Sequence, residues 1–208
     1  MRRLGLTGGI ASGKSAVAGM LRDMGFQVLD ADSVSHRLIE PGQPAYDEVL
    51  REFGSDLADA TGRINRAKLG AIVFADPQKL AKLNSIIHPK VDAVMFRQFD
   101  EWQRSGIPDA AFVEAALLVE AGMDKNLDGL VVVWCRPEQQ LERMRARGMN
   151  EAEARRRIAS QLPLEEKMRH ATYKIDCSGS IEQTRRQVEA LAAKLRHPDQ
   201  PPPQTQNH

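Results

Sequence analysis

The stretch Leu6–Val17, LTGGIASGKSAV, decides the fold of this chain. Gly8, Gly13, Lys14 and Ser15 fill the pattern GxxxxGK[ST]. The apolar run RLGLT precedes the pattern and an amphipathic helical pattern follows it, which is the context that this motif requires. Four fixed positions match by chance in only about one per cent of chains of this length, given the usual frequency of glycine. The stretch therefore predicts a strand, a phosphate-binding loop and a helix.

Each position of this loop has a physical reason to bind a nucleoside triphosphate. Glycines allow backbone angles that point successive N–H groups at the phosphates, and the start of the helix adds the positive end of its dipole. Lys14 supplies a mobile cation for the β- and γ-phosphates, and the hydroxyl of Ser15 is a natural Mg²⁺ ligand. We therefore expect nucleotide contacts along the whole loop, from Gly8, Gly9, Ile10, Ala11, Ser12, Gly13, Lys14 and Ser15.

Five short apolar segments predict a parallel sheet that is covered on both faces. They are continuous apolar runs rather than alternating ones, as is typical of strands buried between two layers of helices. Helical patterns lie between them, and this alternation indicates a doubly wound α/β sheet. The five segments are RLGLT near the start, QVLD ending at Asp30, AAFVEAALL around Val113, GLVVVWC around Val132 and YKID ending at Asp176.

One interval is too long for a simple crossover. From Asp30 to Ala110 the chain runs for about 80 residues, whereas a crossover helix with its loops needs only a dozen or so. Its pattern is helical and it opens at the breaker EPGQP. We therefore predict a nucleotide-binding core of residues 1–40 and 109–196 and an inserted helical lobe at 41–108. The Pro- and Gln-rich tail, 197–208, is predicted to be disordered.

The composition excludes several classes of protein. Among 208 residues, 29 Lys and Arg balance 28 Asp and Glu, and this net charge of +1 argues against broad binding to nucleic acid or membrane surfaces. The longest apolar run is far too short to span a bilayer. The two cysteines, Cys135 and Cys177, form no disulfide framework or metal-binding pattern, so we expect reduced thiols. These features predict a cytoplasmic protein that is a monomer or a weak oligomer.

Asp30 and Asp32 favour a small-molecule kinase over a nucleotide-hydrolysing switch. They follow the second strand, and the carboxyl ends of strands line the ligand crevice in a doubly wound sheet. A carboxylate there can accept the proton of an acceptor hydroxyl. One of the two is expected to cap the next helix, and Asp32 is our candidate for the catalytic base. A GTPase switch should show an Asn-Lys-x-Asp guanine reader, which the string DKNLD does not match.

Arginines of the segment LERMRARGMNEAEARRRI are candidates to neutralise the transferring phosphoryl group. Arg143 and Arg147 lie four residues apart and would share one face of a helix. Arginine suits this role because its planar fork grips phosphate oxygens in two places. Arg145 and Arg155 are interpreted as part of a solvated charged face.

The chain resembles the dephospho-coenzyme A kinase family. The similarity is carried by LTGGIASGKS, by DADSVSHRLIEPG from Asp30, and by the lobe string INRAKLGAIVFADPQKLAKLNSIIHPKV from Ile64. It extends through ALLVEAG from Ala116, the lid string RPEQQLERMRARGMNEAEARRRIASQLPLEEK from Arg136, and YKIDCSGS from Tyr173. Shikimate- and nucleoside-monophosphate-type kinases are the alternatives that share the loop, but they lack a counterpart of the lobe string. The resemblance therefore covers nearly the whole chain.

This resemblance implies ATP-dependent phosphorylation of the ribose 3′-hydroxyl of dephospho-CoA, the closing step of coenzyme A synthesis. It implies a P-loop kinase fold with a lid at about 137–167, ATP and Mg²⁺ as cofactors, and dephospho-CoA as the partner. Carried over by position, the implied roles fall into four groups: Asp32, Lys14 and Arg143 are catalytic; Gly8 to Ser15, Arg147, Ser178 and Gly179 bind ATP; Thr7, Asp32, Arg66, His88 and Leu117 bind the acceptor; and Ser15 binds the metal. His88 has an equally good interpretation as a lobe histidine that precedes a helix-breaking Pro89.

Four positions depart from the family pattern. Ala11 stands where another glycine is common, which would stiffen the loop slightly. Ala116 replaces a usual proline and Thr172 a usual aspartate. Cys177 replaces a usual asparagine, and because a thiol is a poor hydrogen-bonding group this change bears on how the adenine is recognised.

Overall fold

A computed structural model describes residues 1–107 and 109–197 of the chain. The chain divides into two compact units. The first consists of residues 1–29 and the described residues from Glu101 onward, and the second of Asp30–Asp100. The second unit thus begins and ends earlier than the predicted lobe, 41–108. The predicted disordered tail lies outside the described residues, apart from His197.

One sheet of five strands confirms the predicted parallel core. Its strand order is β2-β3-β1-β4-β5. The central strand β1 pairs in parallel with β3 on one side and β4 on the other, and β4 pairs in parallel with β5. β3 is buried along its whole length, which explains its continuous apolar sequence. The strands are β1 (Arg2–Gly8), β2 (Gln27–Asp30), β3 (Ala110–Glu114), β4 (Gly129–Trp134) and β5 (Tyr173–Asp176).

The helices of the first unit lie between and after these strands along the chain. α1 contacts α9, and α9 also contacts β5. The core between them includes Leu6, Val17, Val133 and Val188, all of which are inaccessible to solvent. The helices are α1 (Lys14–Asp23), α6 (Pro137–Ala146), α7 (Glu151–Ala159), α8 (Leu164–Arg169) and α9 (Ile181–Arg196).

The second unit is helical, as its sequence pattern predicts. Asp30 caps α2 by accepting a hydrogen bond from the backbone N–H of Ser33 at 3.0 Å, and Asn65 caps α4 in the same way. Buried residues such as Val49, Leu69 and Ile86 form its apolar interior. Its helices are α2 (Ala31–Leu38), α3 (Tyr46–Phe53), α4 (Arg66–Phe74) and most of α5 (Pro77–Arg104).

The prediction that Pro89 breaks the helix is wrong, because α5 continues through it. Proline lacks an N–H and so leaves the carbonyl one turn earlier without its usual donor. At the next position, Lys90 Nζ donates to the carbonyl of Ile86 at 3.0 Å and to Glu48 at 2.6 Å. The carbonyl that loses its donor is that of Ser85, so Lys90 binds the neighbouring carbonyl and links α5 to Glu48. The chain on either side of Pro89 nevertheless forms one helix.

In the described part of the chain, no helix is both long enough and apolar enough to cross a bilayer. This agrees with the prediction made from the longest apolar run.

Candidate active site

The phosphate-binding loop joins β1 to α1 in the conformation that its glycines predict. A Cβ atom on Gly8 would lie 2.3 Å from the carbonyl oxygen of Val133, and one on Gly13 would lie 2.9 Å from Cys177 Sγ. Gly13 has a φ of 110°, which side chains rarely adopt, and forms the N-cap of α1. The N–H groups of Lys14 and Ser15, at the start of α1, have no partner within the helix. The loop therefore presents backbone donors at the end of a helix dipole, as an anion site requires.

Ala11 lies in the left-handed region, with a φ of 57°. It is the only non-glycine residue with a positive φ in the described chain. This conformation costs an L-residue roughly 1–2 kcal/mol relative to glycine. The departure from the family pattern at this position therefore introduces backbone strain rather than a new contact.

Side chains from α6 hold the loop from outside. Arg143 donates to the carbonyls of Ala11 at 3.1 Å, Ser12 at 3.2 Å and Cys177 at 2.6 Å. Gln140 Nε2 donates to the carbonyl of Ile10 at 2.7 Å. These bonds turn carbonyl oxygens toward α6, so the guanidinium of Arg143 is engaged with the loop itself.

Arg147 does not share the surroundings of Arg143. α6 ends at Ala146, and Arg147 is its exposed C-cap residue. The two arginines were predicted to lie on one helical face, but only Arg143 is a helical residue in contact with the loop. The spacing of four residues did not predict that the helix ends before Arg147, where Gly148, with a φ of 83°, terminates it. Arg145 and Arg155 are exposed and pair with Glu151.

Glu114 is a site residue that the sequence reasoning missed. It is the last residue of β3 and only 5% exposed. Its Oε1 accepts from Lys14 Nζ at 2.8 Å, and its Oε2 from Arg22 at 3.3 Å. The available signal was a single acid at the carboxyl end of an otherwise apolar strand, AAFVE. Glu114 lies beside the loop lysine, on the strand that pairs with β1. A carboxylate at this place can bind a cation that accompanies the phosphates.

Two buried hydroxyl groups lie at the loop and its neighbour. Ser12 Oγ and Ser178 Oγ have no hydrogen-bond partner within the described chain. A buried polar atom without a partner is unfavourable unless a ligand or water satisfies it. Ser12 belongs to the phosphate loop, so a phosphate oxygen fits this position. The hydroxyl of Ser15, in the first turn of α1, is exposed and accessible to a metal ion.

The segment after β5 contacts α6, as a nucleotide-side loop should. Gln139 Nε2 donates to the carbonyl of Ser178 at 2.8 Å, and the N–H of Ser178 donates to Asp176 at 2.7 Å. A Cβ atom on Gly179 would lie 2.0 Å from Gln183 Oε1, so a larger residue could not occupy this position without rearrangement. The loop lies beside Cys177, whose carbonyl binds Arg143. Ser178 and Gly179 are therefore adjacent to the phosphate loop, where they were predicted to bind ATP.

Both cysteines are buried thiols against the loop. Cys135 Sγ lies 3.9 Å from the carbonyl of Ala11, and Cys177 packs against Gly13. Burial raises the pKa of each thiol above its ordinary value. Both side chains therefore remain thiols at neutral pH, and they fill space beside the loop.

Thr7 and Leu117 both lie next to the carbonyl group of Ala116. Thr7, the residue before Gly8, donates from Oγ1 to the carbonyl of Ala116 at 3.3 Å. Leu117 follows in the loop after β3, and it is 48% exposed. The predicted strand around Val113 stops at Glu114, and the apolar residues after it form turns.

Three predicted site residues, Asp32, Arg66 and His88, belong to the second unit. Asp32 is exposed in the first turn of α2, while Asp30 is the capping residue and also accepts from Ser33 Oγ at 2.6 Å. Asp30 thus takes the capping role that was predicted for one of the two, and Asp32 stays the candidate base. Arg66 is exposed at the start of α4.

His88 is half-buried on α5. Burial lowers its pKa, and the carboxyl of Asp92 one turn later opposes that shift. Burial also raises the pKa of Asp92. The imidazole of His88 is therefore neutral at pH 7, and it would meet a ligand as a hydrogen-bonding group rather than a cation.

A cavity of about 620 Å³ lies between the carboxyl end of β4 and helix α8. None of the predicted site residues lines it. Its wall combines apolar and basic side chains, among them Trp134, Leu164, Met168, Arg136 and Lys174. Cys135, whose Sγ lies 3.9 Å from the carbonyl of Ala11, also lines the cavity, so the cavity adjoins the phosphate loop.

Comparison with known proteins gives consistent matches along the chain. A family model described as dephospho-CoA kinase matches residues 2–183. A dephospho-CoA kinase of Symbiobacterium thermophilum is 46% identical over 191 residues, which cover 91% of this chain and 80% of that protein. Among solved structures, TT1252 of Thermus thermophilus is similar with a TM-score of 0.80 and 34% identity, covering 93% of this chain and 97% of that one. A dephospho-CoA kinase from Campylobacter jejuni gives a TM-score of 0.72 and 26% identity, covering 95% and 98%.

Proposed function

Because the chain belongs to the dephospho-CoA kinase family, we propose that it transfers the γ-phosphoryl group of ATP to the ribose 3′-hydroxyl of dephospho-CoA. The products are coenzyme A and ADP, and the reaction completes coenzyme A synthesis. The observation that carries this proposal is the family match over residues 2–183, which includes both the phosphate loop and the helical second unit. The loop alone supports only the nucleotide.

ATP binding is assigned to Gly8–Ser15, with Lys14 on the phosphates. The N–H groups at the start of α1 and the buried hydroxyl of Ser12 support this assignment. Lys14 is held by Glu114, so the phosphates must compete with a carboxylate for its ammonium group. Ser178, Gly179 and Arg147 are proposed contacts to the remainder of ATP.

Ser15 and Glu114 are the residues that would hold Mg²⁺. Both offer oxygen ligands, which Mg²⁺ prefers, and a kinase site commonly supplies one or two such groups while the phosphates supply others. The described residues contain no cluster of three or more His, Cys, Asp or Glu side chains that would form a metal cage of their own. When bound, Mg²⁺ neutralises the negative charge that develops on the phosphate oxygens.

Asp32 is proposed to accept the proton of the acceptor hydroxyl, since a carboxylate in hydrogen-bond reach of that group assists its attack. Arg66, His88, Thr7 and Leu117 are proposed to bind dephospho-CoA. A neutral His88 can donate one hydrogen bond and accept another.

Arg143 acts through the loop in this proposal. Two of its hydrogen bonds hold the loop backbone, at the carbonyls of Ala11 and Ser12, and the third joins the loop to the carbonyl of Cys177. Fixed N–H donors stabilise charge in the transition state without reorganising at the moment of transfer. Arg143 thereby contributes to catalysis by keeping those donors in place.

The direct test is a reaction with Mg-ATP and separate acceptors, followed by mass spectrometry. Dephospho-CoA should gain one phosphate, while shikimate and CMP should remain unchanged under the same conditions. Phosphorylation of shikimate or CMP without formation of coenzyme A would overturn the proposal. ATP hydrolysis that no acceptor alters would indicate a hydrolytic switch instead.

A further inference from the structure

Lys167 is a lysine whose side chain has no solvent-exposed surface. It lies on α8 in the first unit. Burying an ammonium group is unfavourable unless protein acceptors replace its water. Here Nζ lies 2.8 Å from Glu120 Oε1 and donates to the carbonyl of Ala116 at 2.7 Å. Both acceptors belong to the loop that follows β3, residues 115–122.

The same two acceptors also connect this loop to the start of the phosphate-binding loop. The first does so directly, and the second does so through a neighbouring segment. The Ala116 carbonyl also accepts from Thr7, the residue before Gly8. Glu120 Oε1 also accepts from the N–H of Leu162 at 3.0 Å. The preceding residue, Gln161, accepts from the N–H of Ile10 at 2.8 Å. Lys167 therefore lies at a junction of α8, the loop after β3 and the phosphate loop.

The contacts of Lys167 fix the direction of Leu117. On one side of Leu117, the carbonyl of Ala116 is bonded to Lys167 and Thr7. On the other side, Leu118 is fully buried, whereas Leu117 is 48% exposed. A leucine held outward between two anchored neighbours presents a fixed apolar contact. It lies three residues after Glu114, which pairs with the loop lysine.

We propose that Lys167 is a positioning residue for the acceptor. It holds the Ala116 carbonyl so that Leu117 faces dephospho-CoA. The inference rests on the proposed function, in which Leu117 contacts that substrate, and adds a residue which that function did not include.

A purely structural role makes a different prediction. Replacing a buried ion pair by apolar side chains of similar volume often leaves stability unchanged or improves it. Methionine keeps most of the lysine stem and adapts to irregular space. If Lys167 only attached α8 to the core, Lys167→Met would alter stability and leave the kinetic constants of the folded enzyme unchanged.

The test compares Lys167→Met with wild type and with Arg169→Met. Arg169 is an exposed residue of the same helix that pairs with Glu166 at 2.7 Å, so its variant removes the same charge without touching the loop. In Lys167→Met we expect the KM for dephospho-CoA to rise about tenfold, as for loss of one charge-assisted hydrogen bond. The KM for ATP should change by less than about twofold, because the contacts that bind ATP are kept in this variant. Arg169→Met should resemble wild type in both constants.

A double variant protects the test against a folding defect. Lys167→Met with Glu120→Gln leaves no unpaired charge, and its glutamine can still accept from Leu162. It should show the same rise in KM for dephospho-CoA. Failure of both variants to fold would assign Lys167 a structural role and overturn the proposal.

The outcomes separate this proposal from the proposed function. If wild type makes coenzyme A and Lys167→Met has the KM values of Arg169→Met, only the positioning role is overturned. If wild type makes no coenzyme A, the proposed function itself fails.

Discussion

At the scale of single residues, the ion pair between Lys14 and Glu114 links the phosphate loop to the neighbouring strand. The pair is largely buried, with 15% of the lysine side chain and 7% of the glutamate side chain exposed. Arg22 adds a second cation at 3.3 Å from the same carboxylate. In the proposed function, ATP takes Lys14 from this pair, and the carboxylate of Glu114 would then bind a metal ion.

Glu114→Gln tests this exchange. The amide keeps the shape but loses the charge, so the turnover number should fall by roughly 10²-fold, as for loss of one preorganised electrostatic group. The Mg²⁺ concentration for half-maximal rate should rise, and initial rates at a series of Mg²⁺ concentrations measure both. Glu142→Gln, on the exposed face of α6, is the matched control. An unchanged Mg²⁺ dependence in Glu114→Gln would remove Glu114 from the metal site.

Ala11→Gly tests the strain in the loop. Relief of the left-handed conformation gains about 1–2 kcal/mol, and the added freedom of glycine in the unfolded chain offsets about 0.5–1 kcal/mol of this. The variant should be stabilised, with a Tm rise of about 1–4 °C for a protein of this size. Ala190→Gly, at an exposed interior position of α9, should instead lose about 1 kcal/mol. If thermal unfolding showed the same loss of stability in both variants, this would contradict the presence of strain at Ala11.

Asp32→Asn tests the proposed base. Without a carboxylate to accept the proton, turnover should fall by about 10²–10⁴-fold, while the affinity for ATP stays near that of wild type. Asp30→Asn is a sensitive control because asparagine caps a helix as well as aspartate does. It should keep both stability and turnover. A near-normal rate in Asp32→Asn, measured with saturating dephospho-CoA, would exclude Asp32 as the base.

At the scale of elements, local sequence patterns predicted the strands and the helical segments. They did not predict which segments form one continuous helix. β3 and β4 were predicted because both of their faces are apolar, a property of strands covered on two sides. α5 was not predicted as one helix because Pro89 suggests a break, and its contact through Lys90 with Glu48 joins residues 42 apart in sequence.

The contacts that support the phosphate loop could not be predicted from local sequence either, because they too join residues far apart in the chain. Gln140 and Gln161 bind Ile10 across 130 and 151 residues of sequence, and Lys14 meets Glu114 across 100. The motif predicts the loop and its donors. It carries no information about which distant side chains fix the backbone, because any donor or acceptor of suitable length can do so.

Variants of α6 distinguish support of the loop from direct contact with ATP. Arg143→Ala should lower stability by about 1–3 kcal/mol, through loss of charge-assisted hydrogen bonds, and slow turnover. Arg147→Ala should leave stability unchanged, since the side chain is exposed at the C-cap. Arg145→Ala is the control for a charge on the solvated face. Urea unfolding and steady-state rates give the comparison, and equal effects of Arg143→Ala and Arg145→Ala would contradict the supporting role.

At the scale of the whole molecule, a net charge of +1 coexists with two phosphate-rich substrates. Attraction of these substrates is therefore local, through Lys14 and the helix start, and not a property of the overall field. The family match extends beyond the generic loop and through the second unit, which is why the acceptor can be proposed as well as the nucleotide. The loop alone would fit many kinases.

The most direct measurement is the position of the new phosphate in the product. Wild type is incubated with Mg-ATP and dephospho-CoA, and the product is analysed by ³¹P NMR and tandem mass spectrometry, with ADP quantified in parallel. We predict one phosphomonoester on the ribose 3′-carbon for each ADP released, and no product from Lys14→Ala. Formation of ADP without this ester, or a phosphate at another position of the acceptor, would contradict the central claim.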